Sequence, residues 1–207
     1  MNKKITLPQT IVITLFTIIM ILVAVNIPAL SILTISVSSL FVVIAALSDT
    51  KGIFISFAMV ILGLIFFIDP VYIFDICLNF IIPGIIIGMI TKNVLNHRED
   101  NKYNPIFMGT IAFIIGLIAN YLISKYLFNI NILEEFTSVM KTQLSTQISA
   151  IQESVSSLAS VSNITEESII QTVLNIMPLI LFSRSIMLSI LTYFLAIYTL
   201  KKIRKNI

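Results

Sequence analysis

The chain has 207 residues, 57% hydrophobic and only 11% charged, with a net charge of +3 and a mean hydropathy of +1.04. Soluble domains carry roughly 25% charged residues, so this composition excludes a soluble domain and defines an integral membrane protein. Most of the basic residues fall at the ends of apolar runs, which argues against a nucleic-acid surface, and the single cysteine (Cys77) and single histidine (His97) exclude an intrachain disulfide and a metal cluster.

In chain order, Lys3 and Lys4 precede an apolar run with no small-residue cleavage site after it, so the run reads as a retained first helix, about 9–25, and not a signal peptide. Thr10, Thr14 and Thr17 share one of its faces, as hydroxyls bonded to their own helix or to a neighbour would. Asn26-Ile27-Pro28 ends it. A second helix, about 29–47, is rich in small hydroxyl residues, with Ser31, Thr34 and Ser38 on one face. A third runs over about 53–68, and Asp69 is placed to cap a fourth, about 71–90, that begins at Pro70.

The fourth helix carries an acid (Asp75), an amide (Asn79), a Pro83-Gly84 break and Gly88. An ionisable group in lipid costs about 2.5–3.5 kcal/mol on insertion scales, so Asp75 is shallow, paired or functional. Gly84 and Gly88 form a small-xxx-small pair suited to close helix contact. A polar loop containing His97 follows. The fifth helix, about 106–122, repeats small residues at Gly109, Ala112, Gly116 and Ala119, and carries Asn120 near its far end.

From about 130 to 172 the character changes. Leu133, Phe136, Met140, Leu144, Ile148, Ile151, Val155 and Leu158 recur every three or four residues, which predicts a long amphipathic helix. It either buries its apolar stripe against the protein or lies on the membrane surface. Thr165, followed by Glu166 and Glu167, reads as the cap of a helix that continues into a last apolar span, about 173–200, with Pro178 inside it and Lys201, Lys202, Arg204 and Lys205 as a basic stop.

Six spans place both termini on one side, and the positive-inside rule makes that side cytoplasmic. Lys3, Lys4, Lys51, Lys92, Arg98, Lys102, Lys201, Lys202, Arg204 and Lys205 then face the cytoplasm, against Lys125 and Lys141 outside. The expected architecture is all-α: a single domain over residues 1–207, a six-helix transmembrane bundle in the cell membrane, with the amphipathic helix extracytoplasmic. In that frame Asp75, Asn79, Asn120 and Arg184 share the outer half of the bilayer. They are the candidate site, as an Asp75–Arg184 ion pair that fixes packing or as groups that bind a solute. Gly84, Gly88, Gly109 and Gly116 are the candidate packing residues.

Asn26-Ile27-Pro28, the run Phe80-Ile81-Ile82-Pro83-Gly84-Ile85-Ile86-Ile87-Gly88 and Ile176-Met177-Pro178 occur in an order that resembles the YybS-like family of bacterial multi-pass membrane proteins. That family is distantly similar to the substrate-binding S components of energy-coupling factor transporters. The resemblance implies capture of a small solute from outside and its delivery through a partner membrane subunit with ATPases. The alternative is a structural or assembly protein of the envelope that acts through helix–helix contacts. No nucleophile–base pair is present in the spans, so no enzymatic activity and no cofactor are expected, and the solute is not specified.

Overall fold

In the computed structural model, residues 5–30, 32–96, 101–154 and 166–206 are described, and of residues 28, 147–154, 166 and 204–206 the backbone alone. The expectations for Lys3, Lys4, Ser31, His97, Arg98, Val155, Leu158 and the Thr165 cap lie outside the described residues. All the described secondary structure is helical. The chain divides into two compact units, Met1–Asn120 with Arg184–Ile207, and Tyr121–Ser183.

In the larger unit, α1 (Leu7–Asn26) starts where Thr6 N–H donates to Gln9 Oε1 at 2.9 Å, and it stops ahead of Pro28, which confines Ile27 to extended backbone. Thr10, Thr14 and Thr17 are its buried stripe, each hydroxyl bonding to the carbonyl four residues earlier. Thr10 Oγ1 also lies 3.0 Å from Ser48 Oγ, and Thr14 Oγ1 2.9 Å from Ser56 Oγ, so the same stripe joins α1 to its neighbours. Val12, Leu15, Phe16 and Ile19 on the other face are exposed, as a lipid-facing surface must be.

A short 3-10 turn (Pro28–Leu30) leads into α2 (Leu33–Leu47). From Val37 to Leu47 all of α2 but Leu40 is buried. A helix that is apolar on every side belongs in the middle of a bundle, and α2 contributes to both apolar clusters of the unit. Val37, Phe41 and Ile44 pack with Ile21, Val60, Leu64, Ile73 and Ile81, while Val42, Val43, Ala46 and Leu47 pack with Ile87, Phe113, Ala196 and Leu200.

α3 (Thr50–Leu64) is followed by α4 (Pro70–Ile76), a π-helical turn (Cys77–Ile81) and α5 (Ile82–Asn96). Asp69 Oδ1 accepts the Val71 N–H at 2.9 Å and caps α4, with Pro70 in the first turn where its missing N–H does no harm. The glycines of α5 lie on α2. A Cβ at Gly84 would sit 2.5 Å from Ser38 O, and one at Gly88 would sit 2.6 Å from both Val42 O and Ala45 Cβ. α6 (Asn104–Tyr126) and α8 (Glu166–Asn206) meet where Ser189 Oγ donates to Ile106 O at 2.7 Å and Tyr193 OH donates to Lys102 O at 3.1 Å. Gly109 of α6 rests on Ser189 and Ile87.

One end of this unit is held by polar contacts between distant parts of the chain. Ile5 N–H donates to Leu47 O (3.2 Å) and Lys92 Nζ to Ser48 O (2.7 Å). Ile5, Leu47, Leu95, Leu200 and Ile203 pack at that end.

The smaller unit contains the end of α6, α7 (Ile132–Ser154) and the start of α8. Asn129 takes a left-handed φ of 56° just after α6, and Ile130 N–H reaches back to Ser124 O at 2.8 Å. Of the apolar stripe on α7, Met140 and Leu144 are half-buried, while Leu133 and Phe136 are more open. Lys141 of α7 and Glu167, Ser168, Ile170 and Gln171 of α8 line an open cleft of about 480 Å³.

Two of the expected spans come out differently. The helix expected over 29–47 is interrupted by the 3-10 turn, and the one expected over 53–68 begins at Thr50 and ends at Leu64. Each leaves a 15-residue helix of about 22 Å at 1.5 Å per residue, shorter than the roughly 30 Å hydrocarbon core. The helix expected to start near Glu166 does continue into the last apolar span, and α8 runs through Pro178 without leaving the helix. Among the described residues, four helical stretches are long and apolar enough to cross a membrane, Leu7–Asn26, Pro70–Asn96, Asn104–Tyr126 and Glu167–Ile203.

Candidate functional site

Three polar residues of the spans, Asp75, Asn79 and Asn120, meet beside the π-turn. Proline has no N–H, and in a regular helix its ring collides with the carbonyl four residues earlier, which for Pro83 is that of Asn79. The chain avoids this by widening one turn: Ile82 N–H bonds to Cys77 O, five residues back. In that wider pattern the donor to Leu78 O would be Pro83, which cannot donate. α6 closes over the opening. Gly116 lies directly against the Leu78 carbonyl, with no room for a Cβ.

This contact sets the register of α6 against the acid. Asn120 is one turn beyond Gly116 and so on the same face. Asn120 Nδ2 donates to Asp75 Oδ1 at 2.7 Å, and Asn79 Nδ2, one turn after Asp75 on its own helix, donates to the same oxygen at 2.6 Å. Asp75 and Asn120 are half-buried, whereas Asn79 is only 5% exposed and its Oδ1 is buried without a partner. That oxygen faces Gly116, 3.7 Å from where a Cβ would stand.

Arg184 is exposed on α8. Among the described residues no ion pair joins it to Asp75. The structure therefore brings three of the four candidate polar residues into direct contact and leaves Arg184 at longer range. Gly84, Gly88, Gly109 and Gly116 each stand where another helix comes close. The sequence reading did not single out Leu78 or the π-turn. The local signal for them was Pro83, which strains the turn before it and has to be accommodated by a kink or a widened turn.

Among the described residues no group of His, Cys, Asp and Glu is arranged to hold a metal ion through three or more side chains. The Asp75 cluster offers hydrogen-bond acceptors and one acidic group. Cys77 is buried beside it.

Apolar helices long enough to cross a bilayer, with Phe107, Ile111, Ile115, Phe194 and Tyr198 exposed on their outer faces and small residues where they touch, define an integral membrane protein. Within that class the chain belongs to the family described as "Predicted membrane protein (DUF2232)", whose model matches residues 14–207. Neither the curated proteins nor the solved structures contain a match to it.

Proposed function

We propose that the protein is a membrane component that captures a small solute from the extracytoplasmic side, resembling the S components of energy-coupling factor transporters, and passes it through a partner membrane subunit with ATPases. In this reading α1, α2, α3, the Pro70–Asn96 helix, α6 and α8 form six crossings, α2 and α3 being short ones. Both termini are cytoplasmic. The excess of basic residues at Lys51, Lys92, Lys102, Lys201 and Lys202 supports that orientation. The role is one of binding and transport, without catalysis.

The observation that carries the reading is the Asp75 cluster. A half-buried carboxylate is fixed by amides from two different helices at a helix irregularity within a span. Ionisable groups inside membrane spans mark solute and ion pathways among their main roles, and π-turns recur at functional sites. The Gly84 and Gly88 half of the same helix is packed on α2 and carries no polar side chain of this kind.

The test is to purify the full chain in mild detergent, release what it holds by denaturation, and identify it by mass spectrometry, together with any co-purifying proteins. The expected result is one small metabolite close to stoichiometric with the protein, reduced at least about tenfold in Asp75→Asn, a loss worth about 1.4 kcal/mol of binding. A membrane subunit and ATPases should accompany it. Recovery of no solute, with an envelope-assembly complex in its place, would sink the proposal.

A further inference from the structure

The apolar residues of α7 fall into two lines. Met140 and Leu144, four apart, are half-buried, so this line is turned toward the protein. Ile132, Phe136 and Val139, spaced by four and three, form a second line on the neighbouring edge, and all three are exposed. Glu134, Ser138 and Lys141 lie on the opposite side, also exposed. The second line stops at Val139. The next positions along it are Gln143 and Thr146, both polar and exposed. The described part of α7 thus has an uncovered apolar edge only over its first two turns.

The path of the chain says what covers that edge. α6 is one of the helices long and apolar enough to cross a bilayer. Its last turns carry Tyr121 and Tyr126, with Lys125 Nζ 5.8 Å from the centroid of each ring. Aromatic rings at the end of a span mark the boundary between membrane and water. The link from α6 to α7 is residues 127–131, and it does not carry the chain away from that boundary. Leu127 N–H bonds back to Ile123 O and Ile130 N–H to Ser124 O, both at 2.8 Å, so Ile130 is held against the end of α6. α7 begins two residues later, at the level where α6 leaves the lipid. Its exposed edge follows in the chain on Leu122, Tyr126 and Leu127, which are themselves exposed.

We infer that residues 132–139 of α7 insert the edge formed by Ile132, Phe136 and Val139 into the bilayer surface where α6 emerges, and that Gln143 marks the limit of the contact. Amphipathic helices of this kind bury their apolar face about 5–10 Å into the boundary between headgroups and acyl chains. The lipid this edge fits is a neutral one. Glu134 and Glu135 outnumber Lys141 along the segment, so it has no basic cluster to attract anionic headgroups, and apolar contact alone holds it. The inference is independent of whether a solute binds at Asp75.

The test uses the full chain as a Cys77→Ser variant in phosphatidylcholine nanodiscs. Phe136→Cys, Ser138→Cys, Val139→Cys and Gln143→Cys are each labelled with bimane. Ile115→Cys, on the exposed apolar face of α6, is the lipid reference. Labels at 136 and 139 should be quenched by nitroxide-bearing lipid several-fold more strongly than labels at 138 and 143, and iodide in the buffer should give the reverse order. Replacing part of the lipid with phosphatidylglycerol should leave both orders unchanged. Val139→Glu should shift the label at 136 from lipid quenching to iodide quenching, because a carboxylate is costly in lipid. Every labelled position is exposed, and thermal unfolding equal to that of the Cys77→Ser parent shows that each variant keeps the fold. The inference is overturned if 136 and 139 meet iodide as 138 does, which would leave the edge in water. It is also overturned if both are shielded from lipid and iodide alike, which would put protein over the edge, a second copy if the shielding is lost in discs that hold one chain. Lipid contact that requires phosphatidylglycerol would equally contradict it.

Discussion

Gly88→Val should be among the most damaging single substitutions in the bundle. A Cβ at this position would stand 2.6 Å from Val42 O, 2.6 Å from Ala45 Cβ and 3.0 Å from Val42 Cα. Two of these three are backbone atoms of α2, which is enclosed on every side and cannot yield. Membrane helices lack a strong hydrophobic drive to associate and depend on such close backbone approach. Overpacking of this kind costs about 3 kcal/mol, equivalent to a melting temperature lower by roughly 6–12 °C for a chain of this size. Gly63→Ala is the control. Its nearest neighbour is Ile18 Cδ1 at 3.0 Å, the tip of a flexible side chain, so it should change stability by less than about 1 kcal/mol. Thermal unfolding of both variants in detergent checks the pair, and equal losses would contradict the packing described.

Asp75→Leu comes second. It leaves the Asn79 and Asn120 amide donors without their acceptor in the interior of the bundle. Each unpaired buried donor costs about 1–3 kcal/mol, so the loss for the two should be about 2–6 kcal/mol. Asp75→Asn keeps an oxygen for both donors and should retain the fold within about 1 kcal/mol. In Asp75→Leu, the further change Asn120→Leu removes one orphaned donor and should restore part of the stability. The coupling energy of that cycle should fall in the range of about 0.5–3 kcal/mol found for residues in contact. Strict additivity would show that the Asn120–Asp75 bond contributes nothing.

The parts of this fold that depend on local pattern were legible in the sequence. Apolar runs located the helices. Asp69 before Pro70 showed a cap, and Thr10, Thr14 and Thr17 showed a buried hydroxyl stripe, because both signals act within a turn of the chain. What depends on the meeting of helices was less legible. Counting residues from the membrane surface placed Asp75 level with Arg184, since depth follows from span length. Which side chain touches the acid is decided by register and rotation. Gly116 docked on the Leu78 carbonyl carries Asn120 to Asp75 Oδ1, and no spacing within one helix specifies that meeting. The central place of α2 was hidden for a related reason. Its serines suggested one polar face, but residues as small as Ser38, Ser39, Ala45 and Ala46 can be buried on any side. The π-turn was implied by Pro83, yet a proline inside an apolar run is equally compatible with a kink.

The central claim is that the Asp75 cluster opens to the extracytoplasmic side. It is tested most directly by labelling cells with a membrane-impermeant thiol reagent. In a Cys77→Ser background, Asn120→Cys should be modified in intact cells, while Lys92→Cys, at the other end of the same bundle, should react only after the membrane is permeabilised. Labelling of position 120 only after permeabilisation, or of position 92 in intact cells, would contradict the account.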